Sequence, residues 1–232
     1  MKKPLLASLI FLLIAGLRSA PAQTNTRAAQ TNEAGIAVSI VYDGSGSMAD
    51  KVPGADNTPT AKYLIANKAV TSIIRQMVAF SQDKHVSVQA GLVYFVDAKI
   101  HQGISLVDLT PASGAAFADW ADKFNEPRGG TPLGRAIQEA RRQLDQSHCL
   151  HKHILVITDG ASNLGIKPEK VVHEIQTGAS PIPVYFVAFD VTTAVFDQVK
   201  AEGATVVSAS DEAQLNVEIN HILGQKILLE SE

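Results

Sequence analysis

Five oxygen-bearing side chains in three short segments could together bind a metal ion. Asp43, Ser45 and Ser47 alternate in the segment DGSGS, and Thr131 and Asp159 follow in the segments GGTP and TDG. Alternate residues of an extended or turning segment point the same way, so the first three can direct their oxygens to one point. Carboxylate and hydroxyl oxygens are hard ligands, which favour Mg²⁺, Mn²⁺ or Ca²⁺ over Zn²⁺ or Cu²⁺.

Glycines flank these candidate ligands. Gly44 and Gly46 would let the first segment bend tightly, and the glycine pair 129–130 would let the threonine loop approach closely. An interpretation without a metal remains open. The threonine could cap the helix that begins at Pro132, and the last aspartate could form an ordinary Asp-Gly turn.

The pattern between these segments predicts a doubly wound α/β fold. Apolar runs without polar alternation, such as 36–42 and 154–158, are typical of strands that are covered on both faces. The predicted order is strand 36–42, a helix from Thr58 to Ser81, strands 85–96 and 99–109, helices 112–124 and 132–146, strand 154–158, helix 168–176, strand 182–189, helix 193–201, strand 204–208 and helix 212–229. We expect a mostly parallel six-stranded sheet of order 3-2-1-4-5-6, with one antiparallel edge strand and helices on both faces.

This topology would bring the candidate ligands to one crevice. Asp43 ends the first strand and Asp159 ends the fourth, and these two strands are neighbours in the predicted sheet. Ligands of such sheets bind beyond the carboxyl ends of the strands, where the strand order reverses. The loop that carries Thr131 should overhang the same edge. The helix after the first segment is predicted to start at Thr58 as N-cap and Pro59 as first residue.

The segments VYDGSGSM (41–48), GGTPLG (129–134) and VITDG (156–160) resemble a von Willebrand factor type A domain. The resemblance covers roughly residues 35–228. All five candidate positions match the family's metal-ion-dependent adhesion site, which implies that the serines and the threonine bind Mg²⁺ and that the aspartates bind it directly or through water. It also implies that an acidic side chain of a protein partner takes an open coordination position. The stretch 49–57 is somewhat long for the family and could form a specificity loop.

The chain is predicted to be exported. Its 232 residues, 46% of them hydrophobic, suit one domain with a segment to spare. Residues 1–22 combine Lys2 and Lys3 with a short apolar run and a cleavage site after Ala22, which indicates a bacterial signal peptide; an uncleaved anchor is the alternative. Residues 23–34 would form a flexible linker and 35–229 the domain. We therefore expect a periplasmic or secreted protein without a membrane span after cleavage.

The charge and cysteine content restrict the partners. Without residues 1–22 the chain has 17 basic and 23 acidic side chains, a net charge of −6, which disfavours nucleic acid and anionic membranes. The single Cys149 excludes an internal disulfide. His148, Cys149, His151 and His153 could form a soft-metal site. We interpret them instead as residues before the fourth strand, at the sheet edge opposite Asp159.

Several other residues have two possible roles. Three aspartates in neighbouring loops could approach the candidate site, although solvation of the loops is the simpler interpretation; they are Asp50, Asp56 and Asp190. Trp120 and Phe124 lie one helical turn apart and are predicted to belong to the core.

The residue pattern favours a binding module over an enzyme. No His or Cys adjoins the DGSGS segment, no G-x-S-x-G elbow is present, and no Walker lysine follows the glycine pair. We expect a domain that is not an enzyme and that binds an Asp or Glu carboxylate of a protein partner through a metal. One alternative is a metal-dependent hydrolase or phosphatase with Asp43 as nucleophile. Another is a structural subunit of an envelope complex.

Overall fold

A central sheet of six strands organises the protein. The computed structural model describes residues 33–96 and 104–231. The strands of the chain are β1 (Glu33–Asp43), β2 (Lys51–Pro53), β3 (Pro59–Ala61), β4 (Ser87–Phe95), β5 (Ile104–Pro111), β6 (Cys149–Thr158), β7 (Val184–Phe189) and β8 (Thr205–Ala209). The helices are α1 (Lys62–Lys84), α2 (Gly114–Lys123), α3 (Leu133–Asp145), α4 (Pro168–Thr177), α5 (Asp197–Ala201) and α6 (Glu212–Ile222).

The strand order confirms the predicted fold class. The main sheet runs β5-β4-β1-β6-β7-β8, which is the order 3-2-1-4-5-6 when its strands are counted along the chain. All neighbouring pairs are parallel except β4 and β5, which form the predicted antiparallel edge. The order reverses between β1 and β6, so both strands end at the edge where a ligand crevice is expected.

Both faces of the sheet are covered, which explains the continuous apolar runs. On one face, Ile40 and Tyr42 of β1 belong to the core formed with α1, α2 and α6. On the other face, Ala37 and Val41 pack in a second core with α3 and α4. Because side chains alternate between the faces of a strand, β1 must be apolar at nearly every position to serve both cores. Trp120, 5% exposed, belongs to the first core, as predicted.

The predicted start of α1 at Thr58 and Pro59 is wrong. This stretch instead pairs antiparallel with residues 51–53 in a separate hairpin, and the helix begins at Lys62. The Thr58 hydroxyl donates to Asp56 at 2.6 Å instead of capping a helix. Burial of Val52 stabilises the hairpin, which thus occupies much of the long link after the first motif.

Several boundaries differ from the prediction. Strand β6 begins at Cys149, five residues earlier than expected, and β1 begins at Glu33. After α6 the chain continues through a π-helical turn, Leu223–Ile227, and a 3₁₀ turn, Leu228–Ser231. The predicted signal peptide, its cleavage site and residues 23–32 of the linker lie outside the described residues. None of the helices within the described ranges has the length and apolar content needed to cross a membrane.

Candidate metal centre

Asp43 ends β1 with a fully buried carboxylate. Its Oδ1 accepts a 2.8 Å hydrogen bond from the backbone N–H of Ser45, and its Oδ2 accepts a 2.6 Å hydrogen bond from the Thr158 hydroxyl. The chain turns away at Gly44, where a Cβ would overlap the Phe95 carbonyl oxygen. The close approach of β4 therefore requires glycine at this position.

Ser45, Ser47 and Asp159 form a connected group next to Asp43. The two serine hydroxyl oxygens lie 3.1 Å apart, and the Ser47 hydroxyl donates a 2.8 Å hydrogen bond to Oδ1 of Asp159. Ser47 lies in a 3₁₀ turn, Gly46–Ala49, which directs it towards the end of β6. The structure thus brings together side chains that are 112 positions apart in the sequence.

The loop that carries Thr131 is fastened to the first motif through its backbone. Arg128 N–H donates to the Gly44 carbonyl at 2.8 Å, and Gly46 N–H donates to the Gly129 carbonyl at 3.2 Å. Gly129 has φ 84°, in the left-handed region that favours glycine. In the described part of the chain, the Thr131 hydroxyl makes no hydrogen bond to the other four candidate side chains.

The capping interpretation of Thr131 is wrong. Helix α3 starts at Leu133 with Pro132 at the N-cap position, and no side chain caps it. The buried Thr131 is held through its backbone instead, because its N–H donates to the Asn163 side chain at 2.8 Å and its carbonyl accepts from the Ser162 hydroxyl at 3.0 Å. Its hydroxyl therefore stays available as a ligand.

Lys62 is a charged neighbour of the site that sequence reasoning missed. Its ammonium lies 2.7 Å from Oδ2 of Asp159, with both side chains almost fully buried. The contact is a short, buried ion pair, so this carboxylate oxygen already has a positively charged partner. The signal in the sequence was a lysine at the start of an otherwise apolar helix face, but the wrong helix start concealed it.

Asp190 also approaches the site, although its side chain remains 44% exposed to solvent. It follows β7, and its Oδ2 lies 3.4 Å from the Lys62 ammonium. Asp190 adopts a left-handed backbone with φ 58° and donates its N–H to the Ala209 carbonyl at 2.7 Å. Asp56 is exposed and bonds only to Thr58 in its own loop, which agrees with solvation.

Burial and charge shift the protonation of two groups at this edge. Burial, together with the negative charge of Asp159, raises the pKa of Asp43 from 3.8 to about 6, although hydrogen bonds from Ser45 and Thr158 act in the opposite direction. Burial lowers the pKa of Lys62, but its contacts with Asp159 and Asp190 outweigh that effect and raise it overall. The lysine is therefore positively charged at neutral pH.

The residues present fit a hard divalent cation. The side-chain atoms that meet here are hydroxyl and carboxylate oxygens, which are hard ligands. Only two carboxylates, Asp43 and Asp159, are among the proposed ligands. Within the described ranges no group of three or more His, Cys, Asp or Glu side chains is arranged to hold a metal ion, so any cation here would depend on the hydroxyls.

The histidine and cysteine cluster forms no such group and lies at the end of β6 opposite Asp159, as predicted, but of its members only His148 precedes the strand. Cys149, His151 and His153 all lie within β6, a central strand. His153 is fully buried and neither ring nitrogen has a hydrogen-bond partner among the described residues. Burial and the neighbouring His151 lower its pKa to about 4. His153 is therefore a neutral core residue at neutral pH.

Comparison with known proteins identifies the family. Residues 37–221 match the family model of the von Willebrand factor type A domain. The chain belongs to this family. This chain is also similar to YwmD, an uncharacterized protein of Bacillus subtilis (strain 168). The two sequences are 24% identical over 196 residues, which cover 82% of this chain and 81% of YwmD.

Two solved structures share the fold at low sequence identity. The pilus adhesin SpaC from Lactobacillus rhamnosus GG has a TM-score of 0.64 and 12% identity, over 82% of this chain and 30% of SpaC. The PilB minor pilin from Streptococcus sanguinis has a TM-score of 0.63 and 17% identity, over 83% of this chain and 61% of PilB. The chain thus spans less than two thirds of either protein, and the likeness shows a common fold.

Proposed function

We propose that this domain binds a divalent cation and uses it to bind a carboxylate of a protein partner. Mg²⁺ is the first candidate, with Mn²⁺ or Ca²⁺ as alternatives. The proposed ligand residues are Asp43, Ser45, Ser47, Thr131 and Asp159. The observation that carries the proposal is the convergence of the Ser45 and Ser47 hydroxyl oxygens, 3.1 Å apart, with Oδ1 of Asp159, which lies 2.8 Å from the Ser47 hydroxyl. Hydroxyl and carboxylate oxygens that meet at one point suit a hard divalent cation.

The candidate side chains would contribute to cation binding in different ways. Ser45 and Ser47 contribute neutral oxygens, while Asp43 is positioned by the N–H of Ser45 and the hydroxyl of Thr158. When bound, the cation supplies an open coordination position for an external Asp or Glu carboxylate. Because the site has only two carboxylates, the cation keeps more net positive charge and attracts an acidic partner group more strongly.

The surroundings of Asp43 favour binding over catalysis, and we propose that the domain is not an enzyme. A phosphatase that used Asp43 as nucleophile would need one carboxylate oxygen exposed to the substrate. Here the side chain is fully buried and both oxygens accept hydrogen bonds. A nucleophile must reach the reacting atom, so this arrangement argues against Asp43 as a nucleophile.

An adhesive or assembly role at the cell surface fits this mode of binding. Two of the proteins with the same fold are described as a pilus adhesin and a minor pilin. Together with the predicted signal peptide, they support a periplasmic or secreted protein that is cleaved after Ala22. We propose that the domain takes part in adhesion or in the assembly of an envelope complex.

Calorimetric titration with Mg²⁺, Mn²⁺ and Ca²⁺ tests the cation site. Wild-type protein should give binding heat that Asp43→Ala abolishes and that the control Asp56→Ala, in an exposed loop, retains. The absence of metal heat in the wild type would refute the proposal. Affinity capture from the cell envelope, with Mg²⁺ or EDTA, then tests the partner. Capture that survives EDTA, with the domain still folded, would favour a structural subunit that uses no metal bridge.

A further inference from the structure

The buried lysine at the candidate metal centre has an unusual environment. Lys62 is the first residue of α1, is 4% exposed, and donates its backbone N–H to the Asp50 carbonyl at 2.8 Å. Lysine is rarely buried unless it is paired, because removing an ammonium from water is costly. The hairpin β2–β3 leads directly into Lys62 and fixes the point from which its side chain extends.

The Lys62 ammonium lies between two carboxylates that differ in exposure. Oδ2 of Asp159 is 2.7 Å away on a side chain with no exposure, and Oδ2 of Asp190 is 3.4 Å away on a side chain that is 44% exposed. Asp159 and Asp190 follow β6 and β7, which are neighbours in the sheet. The ammonium already donates a hydrogen bond to Oδ2 of Asp190, so a small rotation of the flexible lysine stem would release Asp159 and keep Asp190 as its partner.

We infer that Lys62 is a resident counter-ion of Asp159 that competes with a divalent cation, and that Asp190 receives the ammonium when the cation binds. The inference rests on the proposed function, because it concerns the same cation site. The atom for which they compete is Oδ2 of Asp159, which the ammonium already contacts. Two positive groups on one buried oxygen repel each other strongly, since screening inside a protein is weak.

Removal of Lys62 should change cation affinity in opposite directions, depending on whether the lysine competes with the cation or supports the site. If the lysine only held Asp159 in position, its removal would loosen the carboxylate and weaken cation binding. If it competes, its removal leaves Asp43 and Asp159 without an internal positive charge, and cation binding becomes tighter. The sign of the change in affinity therefore separates the two roles.

The experiment is a calorimetric titration of the whole chain with Mg²⁺ and Mn²⁺. Lys62→Met should bind both cations at least about tenfold more tightly than wild type, because a nearby like charge is removed. Asp190→Asn should bind them severalfold more weakly, since the displaced ammonium loses its negatively charged partner; asparagine tolerates the left-handed backbone. The double variant should match Lys62→Met, because Asp190 acts only through the lysine.

A matched control and a second variant keep the result interpretable. Lys68→Met alters an exposed lysine on the same helix and should leave cation affinity unchanged. Lys62→Gln removes the charge but keeps a hydrogen-bond donor, and it replaces Lys62→Met if circular dichroism shows that the methionine variant does not fold. Unchanged or weaker binding by the folded variant would overturn the inference. If neither wild type nor the variant binds a cation, the proposed function itself fails.

Discussion

The hydroxyl of Thr158 donates a 2.6 Å hydrogen bond to Oδ2 of Asp43, and so joins the ends of the two central strands β1 and β6. Both side chains are fully buried. The other oxygen of Asp43 accepts from the Ser45 N–H, so the carboxylate orientation is determined on both sides. Thr158 precedes the predicted ligand Asp159 and was assigned only to a strand from the sequence.

We expect Thr158→Val to weaken binding of Mg²⁺ about tenfold, because a hydrogen bond to a charged group contributes about 1.5–3 kcal/mol. Valine has nearly the same shape, so the strand should remain folded. Calorimetric titration measures the affinity, and Thr158→Ser, which keeps the hydroxyl, is the control. Equal affinities for the valine and serine variants would show that this hydrogen bond does not position Asp43.

The raised pKa of Asp43 predicts a pH dependence of stability in the presence of a chelator. The native carboxyl keeps its proton up to about pH 6, whereas its ordinary pKa is 3.8. This stabilising contribution is therefore complete below 3.8 and is lost as the pH rises to 6. The shift corresponds to about 3 kcal/mol. Urea denaturation of wild type and Asp43→Asn measures it as a difference that falls with rising pH. A constant difference would contradict the raised pKa.

Cation binding should show the opposite trend with pH. A divalent cation needs the ionised form of Asp43, so the proton must leave before the cation binds. We expect the affinity for Mg²⁺ to decrease about tenfold for each pH unit below 6 and to level off above it. Titrations at several pH values, in buffers of different ionisation heat, also measure the released proton. Constant affinity from pH 5 to 7 would argue against Asp43 as a ligand.

The fold was predictable because the cores on both faces of the sheet require apolar side chains along the central strands. Runs such as 36–42 have to be apolar at nearly every position to serve two cores, and that pattern is visible without a structure. The candidate site followed from the topology. Asp43 and Asp159 end neighbouring strands, so their proximity depends on the strand order and on little else.

The details that the sequence did not reveal depend on contacts between distant segments. Local preferences favour a helix start at Thr58 and Pro59, but pairing with residues 51–53 competes successfully. The position of Lys62 depends on that hairpin, and hence so does its ion pair with Asp159. His153 was predicted to precede the fourth strand, yet β6 begins at Cys149 and, as a central strand, buries it.

His153 should make the protein less stable in acid. Burial and the nearby His151 lower its pKa from 6.5 to about 4, although Glu230, whose Oε2 lies 3.4 Å from Nε2, favours the protonated ring. The stability that a neutral ring contributes is complete above pH 6.5 and is lost as the pH falls to 4.

We expect wild type to lose about 3 kcal/mol relative to His153→Leu over this interval, since the shift exceeds two pH units. Urea denaturation at a series of pH values measures the difference. His221→Leu, at an exposed position, is the control and should follow wild type. Parallel curves for wild type and His153→Leu would show that the ring does not titrate differently in the folded state.

Substitutions of Gly44 and Gly46 can test which position of the DGSGS segment requires glycine. A Cβ at Gly44 would overlap the Phe95 carbonyl oxygen and lie 2.9 Å from the Phe124 ring, whereas a Cβ at Gly46 would meet only the Gly129 carbonyl oxygen at 3.8 Å. The first glycine permits a close approach between β1 and β4, and the second has space for a methyl group.

Gly44→Ala should therefore destabilise the domain by about 1–3 kcal/mol, because overpacking forces the backbone to shift. The shift would move Asp43 relative to Ser45 and weaken binding of Mg²⁺ as well. Gly46→Ala should change the free energy of unfolding by less than about 0.5 kcal/mol, as at an ordinary surface position. Urea denaturation and calorimetric titration of both variants measure the two effects. Equal stabilities would mean that the turn after β1 can relax without disturbing the site.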